Sequence, residues 1–195
     1  DSTILRNMRR PSSIEEIQEK LENLRENVPG IFLRTTFLVG FPGEDEKAFQ
    51  RLCNFVEDFR FERMGAFVYS ESPDAPSALL YPKVEEKIKE ERYQRLMEVQ
   101  EKVMQEFHNS LVGRELEVIV DEISSKRGDN NFWGRTYGDA PEVDVKIGFT
   151  SRGGKLNRGE IVKVRVTKGS SYELKGEKIE SCYSGYRDRT INRVS

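Results

Sequence analysis

The chain has 195 residues, 36% of them hydrophobic and 34% charged, with a formal net charge of −2 and a sequence pI near 5.7. That is enough for one large domain or two small ones with a real core, but no run approaches the ~20 apolar residues a membrane helix needs, and the balance is not the strongly basic one, a pI above ~9, of an obligate nucleic-acid coat. The two cysteines, Cys53 and Cys182, are far apart and make neither a disulfide framework nor a metal-ligand pair; a cytoplasmic setting is expected. The first residue is Asp1, with no Met and no charged-then-apolar leader, which points to a fragment rather than a secretory precursor.

In chain order, Ser12-Ser13-Ile14-Glu15-Glu16 reads as a helix start, with serine placed to cap and acids in the first turn. Ile14, Ile17, Leu21 and Leu24 continue at helical spacing until Pro29-Gly30. The stretch Ile31 to Val39 is nearly continuous in β-branched and aromatic residues, the pattern of a strand buried on both faces of a parallel sheet. Gly40-Phe41-Pro42-Gly43 breaks it. A helix is expected from about Glu44 to Phe59, then a second buried strand from Met64 to Tyr69. Helix, strand, helix, strand is an α/β order with parallel pairing. Two strands do not close such a domain, so further strands are expected ahead of Asp1.

Ser72-Pro73-Asp74-Ala75-Pro76 is a loop. After Pro82 a long helix runs to about Ser110, with Ile88, Leu96, Val99, Val103, Phe107 and Leu111 as its apolar stripe, and Gly113 ends it. Alternating segments follow at Leu116–Val120, Phe132–Thr136, Val143–Phe149, Ile161–Val166 and Tyr172–Ile179. They are punctuated by Gly128-Asp129-Asn130, Gly153-Gly154, Asn157-Arg158-Gly159 and Lys168-Gly169-Ser170. Five short strands with such turns predict a small antiparallel barrel of the oligonucleotide-binding type. The expected organisation is a partial α/β domain over 1–111, a β-barrel over 112–180 and a disordered polar tail over 181–195.

Particular residues carry a resemblance. Arg34-Thr35-Thr36-Phe37-Leu38-Val39-Gly40-Phe41-Pro42-Gly43-Glu44 resembles the fifth-strand segment of radical-SAM methylthiotransferases, Ile4 to Arg10 the stretch after the fourth strand, and Ala66-Phe67-Val68-Tyr69-Ser70 the sixth strand. In the second domain, Gly134-Arg135-Thr136-Tyr137-Gly138-Asp139-Ala140-Pro141-Glu142-Val143-Asp144 resembles the RimO-type branch, and the barrel resembles the TRAM domain. The resemblance covers Asp1 to about Ile179. It implies the end of a radical-SAM (β/α) half-barrel followed by an OB-like TRAM barrel. It also implies S-adenosyl-L-methionine and two 4Fe-4S clusters as cofactors, and methylthiolation of an aspartate in small-subunit ribosomal protein uS12. In that chemistry a radical derived from S-adenosylmethionine abstracts hydrogen from an unactivated carbon and a methylated sulfur is inserted.

The chain departs from the family where the loop Glu71 to Pro76 lacks the usual Gly-Thr pair, and where Asp144-Val145 stands for aspartate-glycine. The family's three-cysteine cluster motif belongs upstream. Two dispersed cysteines cannot supply the thiolates of one cluster, so this chain by itself is expected to be inactive.

By the resemblance, Arg34, Val39, Gly40, Phe41, Phe67 and Tyr69 are candidates to hold the cofactor. At the carboxyl end of a parallel strand a ligand can approach the backbone, and glycine permits that approach. Each also has a plain alternative. Arg34 suits a bidentate partner but equally a strand-to-helix bridge, and core packing is the commoner role for Phe67. His108 is expected at the surface or core edge, Cys53 as a small buried hydrophobe, and Lys87 to Arg92 as a solvated helix face.

In the barrel, Phe132, Trp133, Arg135 and Tyr137 make an aromatic-basic mixture of the kind that binds single-stranded nucleic acid. Asp139, Glu142 and Asp144 follow at once, however, and acids oppose phosphate. A basic protein partner therefore suits Trp133, Arg135, Tyr137, Asp139, Glu142 and Asp144 better than RNA does. The alternative is that Asp139-Ala140-Pro141 only forms a rigid turn. No membrane partner and a monomer are expected. Three readings stand: a fragment of the ribosomal-protein enzyme, a fragment of the sister branch that modifies adenosine in tRNA, and a free-standing RNA- or protein-binding module.

Overall fold

The computed structural model describes residues 1–10, 13–124, 130–153 and 155–179. Ser12, the turn residues Gly128, Asp129 and Gly154, Cys182 and the expected tail lie outside the described residues. The chain divides into two compact units. One is Asp1–Leu111 with Gly169–Tyr172, the other Val112–Lys168 with 173–179.

The first unit opens with two helices, α1 (Ser2–Asn7) and α2 (Ile14–Asn27). Asp1 caps α1. Ser13 caps α2 in a reciprocal capping box, its hydroxyl accepting from the Glu16 N–H while the Glu16 carboxylate accepts from the Ser13 N–H. Strand β1 (Arg34–Val39) follows, then α3 (Glu46–Phe59) capped by Asp45, and β2 (Arg63–Val68), which pairs parallel with β1 in register from Arg34↔Arg63 to Val39↔Val68. Helix α4 (Glu86–Ser110) completes the unit. Val39, Phe49, Cys53, Val56 and Leu96 form the core, with Phe37, Met64, Ala66 and Val68 packed on it.

Three expectations need correction here. The sheet is not buried on both faces: β1 alternates exposed and covered, and Arg34, Thr36 and Leu38 lie on an open face with Phe67, which is 66% exposed rather than in the core. One face of a two-stranded sheet packs on α3 and α4, and period-2 alternation leaves the other to solvent. The α4 face is not simply apolar, because Lys89, Arg92, Gln100 and His108 are buried with Leu96 and Val103. His108 is 0% exposed, not at the surface, and its Nδ1 lies 2.6 Å from the Ser170 carbonyl oxygen.

The second unit is a closed five-stranded barrel of β3 (Glu115–Ile123), β4 (Asn131–Arg135), β5 (Ile147–Thr150), β6 (Ile161–Ser170) and β7 (Glu173–Lys178), in the order β3-β4-β5-β7-β6. Inward positions alternate along each strand: Val118 and Val120, Phe132 and Gly134, Ile147 and Phe149, Val162, Val164 and Val166. Phe132 and Phe149, directly opposite in register, stack at 5.5 Å between ring centroids. The barrel is not wholly antiparallel, because β5 and β7 pair in parallel. The cause is topological: β6 crosses to pair with β3 and close the barrel, and β7, returning from β6, meets β5 running the same way. Val143 to Lys146 belong to the connection from β4 rather than to a strand, and β5 begins only at Ile147.

Candidate functional site

In the first unit the carboxyl ends of β1 and β2 meet at Gly40 and Tyr69. The Tyr69 N–H donates to the Val39 carbonyl at 2.8 Å, extending the pairing one residue past the strands. Val39 itself points into the helical core. Phe41 and Tyr69 form an edge-to-face pair at 5.1 Å over Ile4, with Met8 and Leu80 around them. The Tyr69 hydroxyl is buried in this apolar cluster and has no hydrogen-bond partner among the described residues. Arg34 and Phe67 sit on the open sheet face, Arg34 at the opposite end of β1 from Gly40. Of the six predicted residues, Gly40, Phe41 and Tyr69 come together at the strand ends, Val39 is turned into the helical core, Phe67 faces the open side of the sheet and Arg34 lies at the far end of β1.

Gly40 has φ +78°, and a Cβ there would lie 2.3 Å from Lys89 Cγ. Its N–H donates to the Glu44 carboxylate at 2.9 Å. Arg92 Nη1 donates to that same carboxylate at 3.0 Å and to the Glu44 carbonyl at 2.9 Å. Lys89 Nζ donates to the Tyr69 carbonyl at 3.2 Å and to Glu86 at 2.5 Å. Burial pushes the Glu44 carboxyl above the usual carboxylate range, against the pull of the Gly40 N–H and the Arg92 charge. Glu44, Lys89 and Arg92 are buried here although neither the motif nor hydrophobicity marks them as site residues. The signal was there, since positions 89, 92, 96, 100 and 103 step by three and four along α4.

In the second unit, the Asp139 carboxylate accepts from the Thr136 N–H at 2.8 Å and from its hydroxyl at 2.7 Å, and the Asp144 carboxylate accepts from the Ala140 N–H at 2.5 Å. Both acids therefore shape the loop between β4 and β5. Arg135 is ion-paired with Asp121 on β3. Trp133 lies against Gly148, its partner across the strands, where a Cβ would meet the indole Nε1 at 3.4 Å. Tyr137, 77% exposed, Glu142 and Val143 project outward.

Among the described residues no group of three His, Cys, Asp or Glu side chains could hold a metal ion. Cys53 is buried in α3, and burial raises its thiol pKa. These residues do not fit an iron–sulfur cluster, which takes several thiolates. Among the described residues no helix is long and apolar enough to cross a membrane.

Residues 112–179 match the TRAM domain family. The chain is 44% identical, over 89% of its length, to ribosomal protein uS12 methylthiotransferase RimO of Carboxydothermus hydrogenoformans. It is 40% identical over 92% to the protein of the same name from Heliobacterium modesticaldum, and 38% identical over 90% to that of Clostridioides difficile. It spans 38–39% of the length of these relatives. The chain is thus homologous, over about nine-tenths of itself, to part of the RimO-type methylthiotransferases, and its residues 112–179 are a TRAM domain.

Proposed function

We propose that this chain is a segment of a radical-SAM methylthiotransferase that adds a methylthio group to the β-carbon of an aspartate in ribosomal protein uS12. The observation that carries the reading is identity of 38–44% to relatives bearing that name, running through both units rather than the barrel alone. The site chemistry agrees with it. A Tyr69 hydroxyl with no hydrogen-bond partner among the described residues and the Phe41 ring lie together at the carboxyl ends of parallel strands, a place suited to a nucleoside-like ligand. In this reading Tyr69, Phe41 and the Gly40 backbone hold S-adenosylmethionine and Phe67 lines the open sheet face near that end, while Arg34 lies at the far end of the same face. When bound with a reduced iron–sulfur cluster, that group supplies radical chemistry at an unactivated carbon. The contribution of these residues is to bind, orient and exclude water.

The barrel is the substrate-docking part of the reading. Trp133, Tyr137 and Glu142 offer outward aromatic and acidic surface suited to a basic protein, while Asp139 and Asp144 hold the loop that carries Tyr137 and Glu142, and Arg135, at the end of β4, is ion-paired with Asp121 on β3. The test is mass spectrometry of small-subunit ribosomal proteins from the source cell with and without the complete gene. The expected result is a gene-dependent gain of about 46 Da on one aspartate of uS12, the mass of an inserted methylthio group. An unmodified uS12 combined with a gene-dependent methylthio-adenosine in tRNA would overturn the protein-docking reading in favour of the sister branch.

A further inference from the structure

Helix α4 brings two buried cations to the carboxyl ends of β1 and β2. Lys89 is 4% exposed and Arg92 5%. The Lys89 stem fills the space over Gly40, and its ammonium reaches the Tyr69 carbonyl at 3.2 Å and lies 5.2 Å from the Tyr69 ring centroid. One side chain thus touches the backbone just past the end of each strand. Its ion pair with Glu86, whose side chain is 83% exposed, adds little. One turn on, Arg92 grips Glu44 through both carboxylate and carbonyl, and that carboxylate takes the Gly40 N–H. Burying two cations is costly, and an apolar residue such as Leu96 on the same stripe fills space without that cost. The two cations add direction: they set the Gly40 peptide and the Tyr69 carbonyl relative to a common helix.

We propose that Lys89 and Arg92 are positioning residues for the ligand held at these strand ends, acting through Gly40, Glu44 and Tyr69 without touching it. The proposal rests on the functional reading above, in which that ligand is S-adenosylmethionine. Its test uses the full-length enzyme that contains this segment, and reads calorimetric binding of S-adenosylmethionine, KM and kcat, and melting temperature. Lys89→Met keeps the stem over Gly40 and removes the ammonium. The expected result is a dissociation constant for S-adenosylmethionine raised about tenfold, with the kinetic loss falling on KM rather than kcat, and affinity largely recovered in Lys89→Arg. A folded Lys89→Met enzyme that binds S-adenosylmethionine as the wild type does would overturn the proposal and leave Lys89 a packing residue. If Lys89→Met does not fold, Arg92→Lys carries the test: it keeps the charge but not the longer, planar guanidinium whose Nη1 holds both the Glu44 carboxylate and the Glu44 carbonyl, and wild-type affinity there sinks the idea equally. Wild-type enzyme that fails to bind S-adenosylmethionine at all overturns the functional reading itself, an outcome separate from either variant's.

Discussion

A methyl group at Gly134 has no room. Its carbon would lie 2.3 Å from the Ile119 carbonyl oxygen and 2.6 Å from Val118 Cγ1, and a backbone oxygen in a closed barrel cannot move aside cheaply. Gly134→Ala is expected to cost about 3 kcal/mol, read as a lowered urea midpoint at constant slope. Five residues on, Asp139 serves two donors of Thr136, so Asp139→Ala is expected to lose about 1–3 kcal/mol. The outward Glu142, by contrast, should change stability by less than about 0.5 kcal/mol on replacement by alanine. Should Asp139→Ala melt as the wild type does, the acid does not hold the loop. The residue types at both positions were visible in the chain. The turn at Asp139-Ala140-Pro141 was one of the two readings of the chain, because it is a local feature; the Ile119 oxygen over Gly134 was not legible, because a backbone oxygen across the barrel is set by pairing and not by spacing.

At the scale of elements, α4 is the informative case. Its apolar residues mark a helix and its length, and Ser13-x-x-Glu16 marks the start of α2, because caps and 3.6-residue periodicity are local properties. Hydrophobicity alone mistakes Lys89, Arg92 and His108 for solvated residues. Each is buried because a partner from a distant segment accepts its hydrogen bond: Tyr69, Glu44 and Ser170. Glu44 makes the coupling measurable. Its folded-state pKa is raised, so the folded chain holds the proton more tightly than the unfolded chain does, and ionisation favours unfolding. As pH rises from the ordinary value of 4.5 through the raised one, wild-type stability should fall relative to Glu44→Gln and then level off. Melting temperatures of the two proteins across that range check it; a constant difference would mean that Glu44 titrates alike in both states.

At the scale of the whole molecule, each unit is settled by what its sheet closes against. The barrel closes on itself and leaves no strand edge, a pairing in which one neighbour pair, β5 and β7, must run parallel. The β1–β2 sheet closes against helices on one face only. Phe67→Ser, on the open face, should therefore change the stability of this chain by less than about 0.5 kcal/mol, while Phe49→Ala, fully buried on the other, should cost about 3–5 kcal/mol. Urea melts of the two variants decide this, and a large loss for Phe67→Ser would mean that the face is covered.

The order of elements from α2 onward, the glycine-rich break after β1, the five-strand segment and the residues of the family resemblance were legible in the chain, because each depends on neighbours a few positions away, whereas the short helix α1 was not expected. Tertiary structure alone decided that β1 is open on one side, that β5 and β7 are parallel, and that Lys89, Arg92 and Glu44 are buried at the strand ends. The physical reason is common to all three. Burial and strand direction depend on which distant segment arrives, and a polar side chain goes inside where that segment brings the hydrogen-bond partner it needs.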